Sequence, residues 1–291
     1  MDWLSLSLLC AFSLASADAA TKAWLRDYSA RELALVRLGL TGLLMTPLLS
    51  SLGPLNALPR AFWLWILALV PLEVGAMLLY MKAIRDHPLA LTLPYLAFTP
   101  VFVILTSFLL LGERISLRGM AGITLVVLGA WMLNVRHVRL REWQSWGAPL
   151  VAVLHEPGSR MMLGVAVLYS LTATMGKGAL QYMGPQHFGA FYFALLGIVV
   201  TVLFAGPHPR MLWSVWRRPW GVLAVTACNA AMVYTHFLAL KQVDVAYMIA
   251  VKRTSLLFGI VYGALLFRET NLGSNLLAGS LMLAGVLLIA F

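Results

Sequence analysis

Hydrophobic side chains fall into ten long runs along the chain, and a polar break separates each run from the next. A bilayer core offers no water to backbone N–H and C=O groups, so a run of about 20 apolar residues predicts a spanning helix. The predicted fold is therefore an all-α integral membrane protein with ten transmembrane helices. The runs cover 3–22, 33–51, 61–82, 89–111, 117–134, 160–180, 187–205, 219–240, 245–267 and 272–291.

The longest break, 135–159, divides the predicted helices into two groups of five. Apolar helices resemble one another by chance, so the matching spacing of the runs is the stronger sign of a duplication. An odd number of helices per copy turns the second copy over, which predicts two inverted five-helix repeats, 1–134 and 160–291, joined by a linker. Five residues recur 156 positions later: Ala83, Ala90, Phe102, Glu113 and Gly129 correspond to Ala239, Ala246, Phe258, Glu269 and Gly285.

Composition agrees with this fold, since 61% of the residues are hydrophobic and 11% are charged. Soluble domains have about a quarter of their residues charged. The net charge of +10 does not indicate a nucleic-acid partner, because most Lys and Arg residues stand at the ends of runs and form no separate basic domain. Cys10 and Cys228 lie inside runs, so we expect no disulfide framework. The N-terminal sequence indicates no cleavable signal peptide.

Basic residues are unevenly divided between the loops. Loops after odd-numbered helices hold 13 Lys and Arg residues, and loops after even-numbered helices hold 4. The positive-inside rule then predicts cytoplasmic odd loops and external termini. The expected location is the plasma membrane, of the bacterial inner-membrane type.

Three segments carry a resemblance to a known family: "ALVRLGLTG" around Arg37, "LLLGERISLRGMAGITLVVLGAWML" closing the first half, and "ALLFRETNLGSNLLAGSLMLAGVLLIA" closing the second. On these segments the chain resembles the EamA-type transporters of the drug/metabolite transporter superfamily over nearly its full length. The resemblance implies ten helices, an internal inverted repeat and a central cavity that works by alternating access. It also implies cytoplasmic termini, contrary to the charge distribution, so the orientation stays open.

The ninth predicted helix carries the clearest candidates for solute binding. Its segment "AVKRTSLLFGIVYG" resembles the adjacent Lys-Arg of plastid sugar-phosphate translocators, which implies that Lys252 and Arg253 bind an anionic group. An ionisable group near the bilayer centre costs about 2.5–3.5 kcal/mol on insertion scales, so it needs a function. Lys252 shares a helical face with Ser255 and Tyr262, as in a polar cavity wall. Arg253 is turned by about 100°, so binding to a neighbouring helix is its alternative.

Other polar residues inside the runs extend this set, each with a structural alternative. Lys177 on the sixth helix could instead reach an interface with its long stem. Proline beside the fourth helix's polar stripe leaves backbone carbonyls free, although such kinks are common without a gating role. A lone His is more often a packing residue than a proton carrier. The additional candidates for solute binding are Lys177, Thr174, Tyr95, Thr99, Asn229 and His236.

The acidic residues inside the runs are candidates for proton coupling. Asp18 stands four residues before Lys22, so an ion pair between them is the alternative. Glu73 lies in the middle of the third helix, and its alternative is pairing with Arg37 or Lys252. Glu113 and Glu269, at helix ends, indicate a structural role in the turns.

The deep cations Arg37, Lys177, Lys252 and Arg253 outnumber the deep acids Asp18 and Glu73, which favours an anionic or zwitterionic solute. We expect a secondary transporter, an exporter or exchanger, for a metabolite such as an amino acid, organic acid or sugar phosphate. A flippase for a lipid-linked sugar is the alternative. A membrane-embedded enzyme is less supported, because the sequence shows no nucleophile–base pair or metal cluster. A non-transporting scaffold would have little reason to keep six ionisable groups within helices.

The same sequence shows no nucleotide-binding motif, so we expect no ATP hydrolysis by this chain. No metal, cofactor or nucleic acid is expected. The expected partners are a small-molecule solute and membrane lipids, and a homodimer stays open.

Overall fold

The structure is a computed structural model that describes residues 1–86, 93–134, 157–267 and 273–290. Its long helices follow the predicted runs closely. Helix α9 consists of two segments. The helices are α1 (Trp3–Trp24), α2 (Ala30–Leu49), α3 (Arg60–Asp86), α4 (Thr99–Leu111), α5 (Leu117–Asn134), α6 (Pro157–Leu180), α7 (Pro185–Ala205), α8 (Pro219–Leu240), α9 (Val245–Lys252 and Ser255–Phe267) and α10 (Gly273–Ala290).

Seven of the described helices are long and apolar enough to cross a membrane, and α4, α5 and α10 are shorter apolar helices. The described ranges contain no strand. The predicted all-α fold is therefore confirmed for these ranges, whereas the number of ten spans stays a prediction. Most of the predicted linker 135–159, the beginning of the predicted helix 89–111, and Glu269 lie outside the described residues.

Helix α2 begins three residues before the predicted position, because Ser29 and Glu32 form a capping box. The Glu32 N–H donates to Ser29 Oγ at 3.3 Å, and the Ser29 N–H donates to Glu32 Oε2 at 2.8 Å. These bonds satisfy N–H groups that a helix start leaves without intrahelical partners. Further along α2, Leu35–Leu40 is wound as a π-helix. Such segments often occur at functional sites.

Contacts between loops show that successive helices run in alternating directions. The A end of the bundle is defined here as the end with the α1–α2 connection, and the B end is the opposite one. At the A end, Glu32 contacts Arg217 of the α7–α8 connection. At the B end, Ser51 after α2 contacts His187 at the start of α7. Helix α1 therefore runs from B to A and α6 from A to B, as an inverted second half requires.

The packing of the helices has the same symmetry. Helix α1 packs against α8 and α9, and α6 packs correspondingly against α3 and α4. Helices α2 and α7 pair with each other, as do α5 and α10. Glycines bring the last pair together: a Cβ on Gly285 would lie 2.5 Å from the carbonyl oxygen of Gly122. Exchanging the two halves therefore maps one set of helix contacts onto the other, and the interior lies between them.

Candidate functional site

Helix α9 is interrupted within the bundle. Residues 253 and 254 form a turn between its two segments. The backbone hydrogen bonds there change to three-residue spacing: Thr254 N–H donates to the Val251 oxygen at 2.9 Å, and Leu256 N–H donates to the Arg253 oxygen at 3.1 Å. The break follows directly after Lys252. The corresponding place in the first half is also irregular, since the 3₁₀ turn Leu93–Phe98 precedes α4.

The side chain of Lys252 points into the bundle. Its Nζ lies 3.5 Å from the sulfur of Met232 on α8. Its charge interacts with Cys10 of α1, Glu73 of α3 and His236 of α8. Within the part of the chain that the structure describes, Lys252 forms no ion pair within salt-bridge distance. The predicted inward orientation of this ammonium group therefore matches its surroundings.

The side chain of Arg253 also points into the bundle, where its Nε is buried. Its guanidinium interacts electrostatically with the phenols of Tyr80 on α3 and Tyr169 on α6. These two rings are neighbours, with centroids 6.2 Å apart. Among the described residues, the buried Nε of Arg253 has no hydrogen-bond partner. Arg253 keeps helical dihedrals at the end of the first segment, so its direction stays about 100° from that of Lys252, as a helix requires.

Arg37 of α2 and Asp18 of α1 form an ion pair on the A-end side of this region. Arg37 Nη2 donates to Asp18 Oδ1 at 2.5 Å and to Thr21 Oγ1 at 3.0 Å. Arg37 is buried, whereas the Asp18 side chain is 48% exposed. Arg37 also interacts electrostatically with Tyr80 and Tyr169. The two tyrosines therefore stand between two cationic centres.

Glu73 also interacts electrostatically with Tyr169. It contacts Thr172 of α6, and its charge interacts with Lys252. The sequence offered Arg37 or Lys252 as the ion-pair partner of Glu73. In the structure, Arg37 pairs with Asp18 instead. We call the set that meets here the interior polar cluster: Asp18, Arg37, Glu73, Tyr80, Tyr169, Lys252 and Arg253.

Several predicted residues lie outside this cluster, Thr174 and Tyr95 in contacts between elements and Thr99 in a local hydrogen bond. Thr174 is fully buried, and its hydroxyl donates to the Ser170 oxygen at 2.9 Å and lies 2.9 Å from Thr106 Oγ1 of α4. The buried hydroxyl of Thr99 donates to the Leu96 oxygen at 2.7 Å. The ring of Tyr95 packs against that of Trp131, at 5.5 Å. These contacts position helices α4, α5 and α6.

Helix α8 contributes two predicted residues with different surroundings. The buried amide of Asn229 donates to the Arg37 oxygen at 2.8 Å and to Thr41 Oγ1 at 3.1 Å, so it fixes the π-helical part of α2. His236 packs its ring against Phe237, and its buried Nδ1 lacks a hydrogen-bond partner among the described residues. His236 therefore stays next to Lys252 as a candidate. Ser255, also buried, begins the second segment of α9.

Lys177 forms an ion pair at the B end. Its Nζ donates to Glu113 Oε1 at 2.5 Å and to the Val243 oxygen at 2.7 Å, and it lies 4.0 Å from Asp244 Oδ1. The second carboxylate oxygen of Glu113 accepts the Val245 N–H at 3.0 Å. Glu113 therefore caps the first segment of α9 and joins α4, α6 and α9. We call this contact the B-end ion pair.

Sequence reasoning missed two partners in these arrangements. Tyr169 could have been found from its spacing, since Tyr169 and Thr172 share a helical face. The pairing of Glu113 with Lys177 crosses 64 positions and has no local signal. As for metals, the described residues contain no group of three His, Cys, Asp or Glu side chains able to hold an ion.

Comparison with known proteins places the fold. The model of the EamA-like transporter family matches residues 1–135 and 157–291. The chain belongs to the EamA-like transporter family. It is thus a multi-pass integral membrane protein and a transporter of the drug/metabolite type, as the sequence predicted. A solved structure, described as a crystal structure of a protein, shares 17% identity over 98% of this chain and 94% of its own, with a TM-score of 0.73. That likeness shows the fold. None of the curated proteins compared matches the chain.

Proposed function

We propose that the chain is a secondary transporter, an exporter or exchanger, of a small anionic or zwitterionic metabolite. Amino acids, organic acids and sugar phosphates are the solute classes. The proposal includes ten transmembrane helices as two inverted five-helix repeats, a plasma-membrane location and alternating access. In it, Lys252 and Arg253 bind the acidic group of the solute, and no covalent chemistry takes place.

One observation carries this proposal. Two adjacent cations face the interior, and neither has a carboxylate within salt-bridge distance among the described residues. A charge removed from water is costly unless an opposite charge compensates it. Arg37 and Lys177 have such partners in Asp18 and Glu113. The anionic solute supplies the partner that Lys252 and Arg253 lack.

The tyrosines add hydrogen-bonding groups to the proposed site. Tyr80 and Tyr169 present phenols beside Arg253, and a phenol both donates and accepts hydrogen bonds. They are placed to bond oxygen or nitrogen atoms of the solute next to its acidic group. His236, beside Lys252, offers a ring nitrogen as a further hydrogen-bonding group.

Glu73 provides a route to proton coupling. Its carboxylate and the solute's acidic group compete for the charge of Lys252. Protonation of Glu73 removes its negative charge, so Lys252 then pairs with the solute alone. Binding of a proton therefore strengthens binding of the solute, and binding of the solute strengthens binding of the proton. Binding should therefore be tighter at lower pH, as long as the solute stays anionic.

The proposal is tested by uptake and counterflow into proteoliposomes that hold the purified chain. The panel contains amino acids, organic acids and sugar phosphates, with neutral sugars and a lipophilic cation for comparison. Charge-assisted hydrogen bonds contribute about 1.5–3 kcal/mol each, so Lys252→Ala and Arg253→Ala should each lower transport about tenfold or more. Lys241→Ala, which removes an exposed lysine of the α8–α9 connection, is the matched control and should transport normally.

Two results would contradict the proposal. One is transport of a neutral solute or of the lipophilic cation with no transport of any anion. The other is Lys252→Ala protein that keeps its thermal midpoint and also keeps wild-type uptake of an anionic solute. Loss of transport together with loss of folding in Lys252→Ala would move the test to Lys252→Gln, which retains most of the side-chain volume.

A further inference from the structure

The A end carries an exposed aromatic and basic surface that the transport mechanism does not use. Trp213 and Trp220 are 83% and 82% exposed, and Trp24 and Trp216 are nearly half exposed. Indole rings are large apolar groups with one N–H donor, and they concentrate where a membrane meets water. We call this surface the tryptophan–arginine patch: Trp24, Arg210, Trp213, Trp216, Arg218 and Trp220.

The patch is held rigidly from beneath. Ser214 and Arg217 bond the Glu32 carboxylate at 2.7 and 3.0 Å. The Tyr28 hydroxyl donates to the oxygen of Val215 at 2.8 Å, and Val215 itself is buried. The inner face of the α7–α8 connection is therefore fixed on the α1–α2 connection. The tryptophans of the α7–α8 connection face outward, because its opposite face packs against the α1–α2 connection.

A cavity of about 160 Å³ opens within the patch, lined by Trp24, Arg218, Pro219, Trp220 and Gly221. Gly221 makes the close approach possible, since a Cβ there would lie 2.7 Å from Trp24 Cβ. Arg218 stands at the cavity, with one N–H on the Trp24 oxygen at 2.9 Å and another on Asp27. The walls are therefore apolar, with a guanidinium at the margin.

Charge around the patch is strongly positive. The α1–α2 and α7–α8 connections with their helix ends contribute six basic residues and two acidic ones: Lys22, Arg26, Arg31, Arg210, Arg217 and Arg218 against Asp27 and Glu32. Basic residues next to a bilayer attract anionic lipid headgroups. Trp24 is the last residue of α1 and Trp220 the second residue of α8, so the cavity lies at the level where membrane helices leave the bilayer.

We propose that the tryptophan–arginine patch binds an anionic phospholipid. The phosphate lies against Arg218, to which Arg210 of the same connection adds positive charge, and the glycerol and upper acyl chain lie between Trp24 and Trp220. The acyl chains continue along the lipid-facing surface of α1 and α8. The partner is a lipid because the rings of the cavity belong to helix ends at the membrane boundary.

The experiment measures thermal unfolding of the purified full-length chain in nanodiscs of phosphatidylcholine with increasing phosphatidylglycerol. Wild type should gain stability as phosphatidylglycerol increases. Arg210→Gln combined with Trp220→Ala should lose most of that gain, because both side chains are exposed and neither forms a hydrogen bond or ion pair with the described residues. Arg210→Gln alone should weaken phosphatidylglycerol binding about fivefold. Arg118→Gln, an exposed arginine of the B end, is the control and should respond as wild type does.

Native mass spectrometry of the detergent-solubilised protein gives an independent count of bound phosphatidylglycerol. Equal retention by wild type and the double variant would overturn the proposal. So would an equal gain in stability from soluble glycerol phosphate, since the phosphate alone would then suffice. A double variant that is less stable in pure phosphatidylcholine is still informative, because the measured quantity is the change in its own thermal midpoint as phosphatidylglycerol is added.

Discussion

The B-end ion pair allows a quantitative test, because the charge of each partner can be removed by a substitution that keeps the size of its side chain. Glu113→Gln keeps an oxygen to accept the Val245 N–H but removes the charge that Lys177 faces. Lys177→Met keeps the length of the stem and removes the ammonium group. Each single variant leaves one charge without its partner at 2.5 Å, although Lys177 keeps Asp244 at 4.0 Å in Glu113→Gln. In the double variant both charges are absent.

The magnitude follows from burial and contact. The side chains of Lys177 and Glu113 are 18% and 9% exposed, with Nζ and Oε1 2.5 Å apart. Removing one partner of a buried pair costs about 3–5 kcal/mol. Since Lys177 keeps some exposure, we expect the lower end, about 3 kcal/mol for each single variant. The double variant should cost clearly less than the sum, with a coupling of about 2 kcal/mol.

The assay is the thermal midpoint of the purified protein, compared at one scan rate in one detergent because heat unfolding of large proteins is often irreversible. Each single variant should lower the midpoint by roughly 6 °C, on the scale of about 2 °C per kcal/mol for a large domain. Single-variant effects that add within about 0.5 kcal/mol in the double variant would refute the reasoning, because uncoupled residues behave that way.

A second readout comes from Cys10, which is fully buried and lies near Lys252. If the B-end ion pair holds the bundle closed at that end, Glu113→Gln should speed maleimide labelling of Cys10 in a Cys228→Ser background. The double variant should label no faster than Glu113→Gln does. Unchanged labelling in Glu113→Gln would limit the ion pair to stability.

Two further outcomes follow from the structure. Burial and the neighbouring Glu113 charge raise the pKa of Asp244, against the effect of Lys177. A raised pKa means that the folded state favours the protonated form of Asp244. The stability that this protonated form contributes is lost as the pH rises through the raised pKa. Asp244→Asn should therefore have the higher thermal midpoint at neutral pH, and the difference should shrink as pH falls toward the ordinary aspartate pKa of about 3.9. Gly285→Ala should destabilise the chain by about 1–3 kcal/mol, because its Cβ meets the backbone of Gly122. Gly75→Ala, with open space around it, should be neutral or stabilising in the same measurement.

The helices could be predicted because apolar runs of membrane length leave one choice of backbone structure. Their ends were less certain. Helix α2 begins at residue 30 because Ser29 and Glu32 satisfy its first N–H groups, and a span counted from hydrophobicity alone passes over them. The inward position of Lys252 could also be predicted, because a charge within a run has few other tolerable places.

The partners of the charges could not be predicted in the same way. Asp18 has Lys22 one turn away on its own helix, yet it binds Arg37 of α2. Lys177 shares a helical face with Thr174, yet it binds Glu113 and the α8–α9 connection. Spacing within one helix says which side chains share a face. It does not say which helix covers that face, so contacts between helices decide the pairing.

The interruption of α9 connects the B-end ion pair to the interior polar cluster. Its first segment, Val245–Lys252, is a single rigid piece of about 12 Å, held at one end by Glu113 and carrying Lys252 at the other. The second segment is fixed on α1, where the Tyr262 hydroxyl lies 2.6 Å from Ser16 Oγ and the ring of Phe258 packs on Phe12 at 5.4 Å.

The two segments are therefore anchored to different parts of the bundle, and residues 253 and 254 are the place where they can change angle. In the proposed mechanism, a solute that draws Lys252 toward itself would turn the first segment and pull on the cap that Glu113 provides. A continuous helix would transmit the same force to α1 and resist it. If Lys252 and Arg253 bind the solute as proposed, the turn at residues 253 and 254 couples solute occupancy to the B end.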